Sequence, residues 1–256
     1  MNHPFPPSIT KLIGQGALVA VNHSGGKDSQ AMTVYLERHV PADQLVIFHA
    51  ILPDADWPDA ADHIRTQHPN LPLITVQAKQ TLLELVDRRG KWPSMRQRYC
   101  TSDLKRSPIA TALRAFMRNN PQFNNLLINA LGLRAQESSS RAKKPQLQED
   151  LILSKAGRTA LTWHPIHLWT EDQVFDAIKS AGQTPHHAYG RGYRRLSCPF
   201  CIYASPQDLA RAAHDHPELY DKYRACEVRN GHTLSITGRT LEQTVASAPK
   251  PLLRAA

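Results

Sequence analysis

The sequence lacks a long hydrophobic run: none of its apolar stretches reaches the roughly 18 residues that a membrane span requires. Residues 1–7 do not show a basic start followed by an apolar stretch, so we expect no secretory signal. Four cysteines in 256 residues are too few for a disulfide scaffold, and there is no internal repeat. We therefore expect a cytoplasmic globular protein without a membrane partner.

Acidic side chains are also scarce. The 22 Asp and Glu residues stand against 31 Lys and Arg, which gives a formal charge of +9 and an isoelectric point near 9.6. This surplus favours polyanionic partners such as nucleotides or nucleic acid, although a basic surface that only aids solubility has the same composition. The length of 256 residues fits one large α/β domain with an appendage.

The chain is organised around residues 17–30, A-L-V-A-V-N-H-S-G-G-K-D-S-Q. The Val-rich start predicts a buried strand and the following apolar spacing predicts a helix, with a glycine-rich turn between them. A helix start presents unpaired N–H groups and a partial positive charge, which suit a phosphate. We predict that the nucleotide-binding residues are Ser24, Gly25, Gly26, Lys27, Asp28 and Ser29.

This turn is not a Walker A loop, because Val21 stands where that pattern has its first glycine and Asp28 follows the lysine. Lys27 adds a full positive charge, and Asp28 is suited to hold Mg²⁺ or a ribose hydroxyl. Of the thirteen histidines, only His23 is assigned to the site. The alternative is a plain glycine turn with an exposed lysine.

Strands and helices alternate, which predicts a doubly wound parallel sheet. Further strands are predicted at 45–50, 71–77, 125–130, 152–154 and 160–162. Helices are predicted at 60–67, 81–87 and 170–180, and 138–150 is predicted to be a mobile loop. Ser107 is predicted to cap another helix. Because ligands lie beyond the carboxyl ends of parallel strands, Asp54 and Asp56 are candidates for ribose or Mg²⁺, with a helix start as the alternative.

Residues 186–201 are aromatic, basic and glycine-rich. Basic residues interleaved with tyrosines are typical of nucleic-acid patches, and a basic lid over a nucleotide is the alternative. The candidate nucleic-acid residues are Arg191, Tyr193, Arg194 and Arg195. We divide the chain into a nucleotide-binding domain at 1–185, a cysteine-containing region at 186–230 and a tail at 231–256 that is expected to be partly disordered.

Four separated motifs carry a family resemblance. S-G-G-K-D-S at 24–29 resembles the loop of PP-loop ATP pyrophosphatases. C-T-S-D-L-K-R-S-P-I at 100–109, G-L-R-A-Q-E-S-S-S-R at 132–141 and W-H-P-I-H-L-W-T-E-D-Q-V at 163–174 resemble elements of the phosphoadenylyl-sulfate (PAPS) reductase family. The resemblance implies a Rossmann-like, adenine nucleotide α-hydrolase-like fold that binds ATP and Mg²⁺. The remaining chain is expected to form a cysteine-containing, mostly helical extension.

Two departures from the reductases bear on the activity. Those enzymes usually have a degenerate loop and resemble one another in a C-terminal Glu-Cys-Gly-x-His nucleophile, whereas this chain keeps Lys27 and has no cysteine after Cys226. The closer resemblance is to ATP-dependent sulfur-transfer members, such as DNA phosphorothioation and tRNA thiolation enzymes. It implies adenylation of an acceptor with release of pyrophosphate.

The implied partners are DNA or tRNA, a sulfur-donor protein and a second copy of the chain. We expect the catalytic residues to be Lys27, Asp28, Lys105 and Arg134. Two alternatives stay open: a sulfonucleotide reductase that uses an external thiol, and a non-catalytic nucleic-acid-binding protein on the same scaffold.

The cysteines predict a soft-ligand site. Cys100, Cys198, Cys201 and Cys226 together suit an iron–sulfur cluster or zinc. The resemblance favours a [4Fe-4S] cluster, although Thr101 replaces the second cysteine of the family's Cys-Cys pair. Cys226 then supplies the fourth ligand, or one iron keeps an open position. The alternatives are a redox pair at Cys198 and Cys201, and ordinary core cysteines at Cys100 and Cys226.

Overall fold

A computed structural model describes residues 5–248. One sheet contains the strands β1 (Leu18–Asn22), β2 (Leu45–Ile51), β3 (Leu73–Gln77), β4 (Leu126–Leu131), β5 (Leu147–Glu149) and β6 (Thr159–Trp163). The strand order is β3-β2-β1-β4-β6-β5. β1 runs parallel to β2 and β4, β4 runs parallel to β6, and the edge strand β5 is antiparallel. The predicted Rossmann-like α/β fold is confirmed.

The α-helices of the described residues are α1 (Pro7–Gly14), α2 (Lys27–Glu37), α3 (Ala60–Gln67), α4 (Leu82–Arg89), α5 (Tyr99–Thr101), α6 (Ser107–Asn119), α7 (Ser139–Ala142), α8 (Glu171–Ser180), α9 (Pro206–Asp215), α10 (Pro217–Asn230) and α11 (Leu241–Ala246). No helix within 5–248 has the length and apolarity to cross a bilayer.

The chain divides into two compact units. The first runs up to His49 and continues through Ala60–Val76 and Ile109–His186. Its core lies on both faces of the sheet, because successive residues of a strand point to opposite faces. Val19 and Val21 pack on the face covered by α2 and α8, whereas Leu18 and Ala20 pack on the face covered by α6. Burying each such large aliphatic side chain contributes about 1.5–3 kcal/mol.

The second unit comprises Ala50–Asp59, Gln77–Pro108 and the chain from His187 on. It therefore joins the predicted cysteine-containing region to two segments that we had assigned to the nucleotide-binding domain. Its residues 231–248 include α11, and the Glu227 carboxylate accepts hydrogen bonds from the N–H groups of Leu234 at 2.7 Å and Leu241 at 2.8 Å. The rest of the predicted tail, 249–256, lies outside the described residues.

Three local predictions were wrong. Residues 152–154 form a turn rather than a strand, because the Asp150 carboxylate accepts the N–H groups of Ile152 and Leu153. Residues 138–150 contain α7 and β5 rather than an irregular loop. Ser107 does not cap a helix, since the chain is already helical from Tyr99 through a π-helical turn at Ser102–Arg106.

Candidate functional site

The glycine-rich turn joins β1 to α2 in the first unit. Gly26 is the N-cap of α2, and Gly25 has a φ of 80°, which favours glycine. The loop is braced from inside: the Gly25 N–H donates to His23 Nδ1 at 3.0 Å, and Ser29 Oγ donates to the Gly26 carbonyl at 2.8 Å. The hydroxyl proton of Ser29 thus stabilises the loop itself.

The start of α2 differs from four other helix starts. Side chains of Thr81, Thr170, Ser205 and Thr240 cap α4, α8, α9 and α11. Within residues 5–248, no side chain caps α2. A helix start of this kind is suited to an anion, because its first N–H groups and its dipole both favour negative charge.

Charged side chains converge at this helix start. Lys27 is buried, which contradicts the exposed lysine of the plain-turn alternative. Its Nζ lies 3.4 Å from Asp28 Oδ2 and 3.2 Å from Glu171 Oε1. Arg134 Nε donates to Asp28 Oδ1 at 2.5 Å. Three of the predicted site residues, Lys27, Asp28 and Arg134, therefore lie together, and Glu171 joins them.

Arg134 is held in place by residues around β4 and α8. Its Nη1 donates to Gln136 Oε1 at 2.8 Å, and its backbone N–H donates to Glu137 Oε2 at 3.0 Å. The side chain is buried. Because the guanidinium is fixed, it also fixes the orientation of the Asp28 carboxylate.

Gly132 is required where the chain leaves β4. A Cβ at this position would lie 2.9 Å from both the Cα and the N of Ser29, which are backbone atoms that cannot rotate away. Gly132 thus lets the β4 exit approach the start of α2.

We expect Gly132→Ala to lower stability by about 1–3 kcal/mol, since the overpacked backbone must shift. It should also weaken nucleotide binding, because the shift occurs at the loop. Urea unfolding and ATP titration measure the two effects. Gly14→Ala is the matched control, with nothing within 4 Å of its Cβ; equal stability of both variants would contradict the close approach.

His23 is neutral beneath the loop. Burial lowers its pKa well below 6.5, and the neighbouring His68, His49 and His63 lower it further. Because Nδ1 accepts the Gly25 N–H, the ring proton lies on Nε2, which is buried without a hydrogen-bond partner among residues 5–248. Protonation of Nδ1 would remove the acceptor that holds Gly25.

Stability should therefore fall as the pH drops below 6.5, the ordinary pKa of histidine that the unfolded chain retains. In that range the unfolded state binds a proton that the folded state does not, at up to about 1.4 kcal/mol per pH unit. Urea unfolding between pH 7.5 and 5 measures the slope. His23→Asn, which keeps an acceptor without titrating, should reduce this slope, and the lowered pKa values of His164 and His216 account for part of what is left. Substitution of the exposed His232 is the control.

Three cysteines lie in the second unit near Lys105. Burial raises the pKa of the Cys198 thiol to about 12, and Lys105 opposes that rise while Asp56, Cys201 and Cys100 add to it. Burial works to lower the pKa of Lys105, but the same four acidic groups outweigh it and raise that pKa. Lys105 thus provides positive charge beside the thiols. Its predicted contact with the nucleotide stays a prediction.

Cys226 has other partners. Its Sγ donates to Asp87 Oδ1 at 3.6 Å and accepts from Asn230 Nδ2 at 3.5 Å, and the side chain is buried. Burial raises its pKa to about 11, and the Asp87 carboxylate raises it as well. This setting fits the core-cysteine alternative and argues against the fourth-ligand role.

Asp54 also belongs to the second unit. It has a φ of 61°, and its Oδ1 accepts from Lys222 Nζ at 2.9 Å. The carboxylate is thus engaged in an ion pair, and its predicted role toward ribose or Mg²⁺ stays a prediction.

The predicted nucleic-acid patch is divided by burial. Tyr193 is 6% exposed, donates to Asp215 Oδ2 at 3.0 Å and packs against Trp57, so its ring is not available for stacking on a base. Arg191 forms an ion pair with Asp215. Arg194 and Arg195 are exposed. The prediction that Tyr193 belongs to a nucleic-acid patch was wrong. Alternating arginines and tyrosines are also compatible with a buried tyrosine ring flanked by surface arginines.

The family model described as the phosphoadenosine phosphosulfate reductase domain matches residues 18–204. The chain belongs to this family. The match spans both the α2 loop and the segment with Cys198 and Cys201.

Two curated relatives are themselves uncharacterized. A 37.8 kDa protein of Escherichia phage 186 is 29% identical over 136 residues, which are 53% of this chain and 39% of that protein. A Methanocaldococcus jannaschii protein is 25% identical over 207 residues, which are 80% of this chain and 46% of that protein. The chain thus spans less than half the length of these relatives.

Solved structures with similar folds come from different enzymes. PAPS reductase from Candida auris, in a phosphate complex, has a TM-score of 0.48 at 15% identity and covers 74% of this chain and 85% of that chain. The U34-tRNA thiolase NcsA from Methanococcus maripaludis, with its [4Fe-4S] cluster, has a TM-score of 0.44 at 13% identity and covers 94% and 80%. Similarity at this level assigns no activity to this chain.

Sequence reasoning missed two residues of the site in this family member. The sequence indicates only that Glu171 lies in the first turn of α8, where acidic residues are common. It does not show that Glu171 forms an ion pair with Lys27. Gly132 lies in the quoted family motif, yet nothing local shows that it faces Ser29.

Proposed function

We propose that this chain is an ATP pyrophosphatase that adenylates an acceptor in sulfur transfer to a nucleic acid. The observation that carries this proposal is the start of α2, where no side chain within residues 5–248 caps the helix and Lys27 and Arg134 supply positive charge. An acceptor oxygen attacks the α-phosphorus of ATP, the bond to the bridging oxygen breaks, and pyrophosphate leaves. Such transfers depend mainly on positioning and charge stabilisation.

Lys27 must exchange partners to bind a phosphate. The Glu171 side chain is 53% exposed, whereas Asp28 is 18% exposed and held by Arg134. Glu171 is therefore the carboxylate that yields its place at Nζ to a phosphate oxygen. Asp28 keeps Lys27 directed toward the loop, and Arg134 keeps Asp28 in place.

The carboxylates fit the Mg²⁺ that the family resemblance implies. Asp28 and Glu171 offer the oxygen donors that Mg²⁺ prefers, and both lie within 3.4 Å of the same Lys27 Nζ. These two residues would hold the ion together with the phosphates. When bound, Mg²⁺ would neutralise charge on the phosphate oxygens.

The second unit would supply the sulfur chemistry through Cys100, Cys198 and Cys201. A tetrahedral zinc ion with bonds of about 2.3 Å holds its sulfurs about 3.8 Å apart. The three thiols would also suit an iron–sulfur cluster, and the family resemblance favours that group over zinc. Three thiolates would leave one iron open to a further sulfur, and Lys105 offsets their negative charge.

Pyrophosphate release from α-labelled ATP and Mg²⁺, with and without tRNA or DNA, tests the proposal. We expect AMP or an adenylated acceptor together with pyrophosphate, stimulated by one nucleic acid. Absence of ATP turnover under all conditions would contradict it. The family match favours sulfonucleotide reduction as the second candidate, and sulfite release from an adenylyl sulfate with an external thiol would identify that activity.

A further inference from the structure

We propose that the second unit binds single-stranded nucleic acid on a surface formed by Lys91, Arg96, Arg98 and Tyr203, which we call the Lys91–Tyr203 surface. The proposal deepens the proposed function, because it names where the acceptor strand binds. It does not depend on ATP turnover, so the two can fail separately.

The surface is strongly basic. Residues 88–106 contain seven Lys and Arg and one acidic residue, Asp103. That carboxylate is already paired, since Arg89 Nη2 donates to Asp103 Oδ2 at 2.9 Å. Lys91, Arg96 and Arg98 are exposed and form no ion pair within the described part of the chain. A cluster of cations without carboxylate partners attracts the phosphates of a nucleic-acid backbone.

One of these cations, Arg98, lies over an exposed aromatic ring. The Arg98 guanidinium lies over the Tyr203 ring at 5.2 Å from its centroid, and Tyr203 is 41% exposed. Arg98 also lines a surface crevice with Lys91 and Gln97, and the ion pair of Arg89 with Asp103 forms another part of its wall. The Tyr99 hydroxyl donates to the Lys91 carbonyl at 2.6 Å and so fixes the loop.

Single strands fit this arrangement better than duplexes. An exposed tyrosine next to an arginine offers a stacking platform for an unpaired base, while the neighbouring cations follow the backbone. In a duplex the base faces are already stacked, so Tyr203 would have no partner.

The surface also reaches the cysteines. Tyr203 lines a second crevice together with Cys198 and Arg195. Arg98 is two residues from Cys100. A base stacked on Tyr203 would therefore lie at the crevice that Cys198 lines, and Cys198 is one of the thiols to which we assign sulfur transfer.

Fluorescence anisotropy with labelled single-stranded RNA and DNA oligonucleotides, across a salt series, tests the surface. We expect Lys91→Ala/Arg96→Ala to weaken binding at least about tenfold and to reduce the salt slope by about 1.4, since each lost phosphate contact removes about 0.7. Tyr203→Ala should weaken binding by about tenfold and Tyr203→Phe should retain it, because stacking needs only the ring.

Lys11→Ala/Arg118→Ala is the matched control: it removes one exposed lysine and one exposed arginine from the first unit. If this control weakens binding as much as Lys91→Ala/Arg96→Ala, or if neither pair changes the affinity, the proposal is wrong. A duplex that binds as tightly as a single strand would also overturn it. Basal pyrophosphate release without nucleic acid, measured on the same variants, separates a failed surface from a failed ATP pyrophosphatase.

Discussion

Lys27→Ala should reduce pyrophosphate release from ATP by about 100- to 1,000-fold, the cost typical of removing one pre-positioned group that stabilises developing charge. The buried Nζ is held by Asp28 and Glu171 at the start of α2, so its position is defined before any nucleotide binds. In our proposal Lys27 is the cation that contacts the phosphate, whereas Arg134 is held by Asp28. Quantifying pyrophosphate under saturating ATP measures the loss.

Two further variants keep this result interpretable. Lys27→Met keeps the length of the side chain, whose Nζ lies 6.0 Å from the centroid of the Phe175 ring, and removes only the charge. It should fold normally and be as inactive as the alanine variant. Lys179→Ala removes an exposed lysine from α8 and should be fully active. Turnover by folded Lys27→Met at the wild-type rate would contradict the role of the loop.

Cys198→Ser should lose most of its iron and acid-labile sulfide, whereas Cys226→Ser should retain both. The difference follows from the surroundings of the two thiols. Cys198 lies near Cys100, Cys201 and Lys105, while Cys226 is occupied by Asp87 and Asn230. Metal analysis of anaerobically purified protein, with zinc measured alongside iron, checks the expectation.

Thermal unfolding of the same variants serves as the control, because Cys226 is buried and its substitution is expected to destabilise the second unit. Equal loss of iron from folded Cys198→Ser and Cys226→Ser would restore Cys226 as a ligand. Stoichiometric zinc without iron in the wild-type protein would contradict the cluster.

The sequence by itself determined the parts of this protein that depend on near neighbours. A Val-rich run predicted β1, two glycines and a lysine predicted the phosphate loop, and the alternation of strands and helices predicted the parallel sheet. The family resemblance also placed Asp28 and Arg134 in one catalytic set, and the two side chains meet although they are 106 residues apart. Hydrophobic periodicity and the positions of glycines depend on near neighbours in the chain, so they can be recognised from the sequence alone.

Only the tertiary structure decided which side chains are already engaged. The sequence did not distinguish Cys226 from the other three cysteines. The structure does, because the Cys226 thiol donates to Asp87, which is 139 residues away in the chain. The sequence pattern predicted that Tyr193 stacks on a base, but the structure shows it buried against Trp57 and bonded to Asp215. Nothing in the sequence was a reason to select Tyr203, whose exposed ring lies under Arg98 in the structure. Burial and pairing arise from segments that meet only after folding, so residues of the same type receive different chemistry from neighbours that the local pattern does not contain.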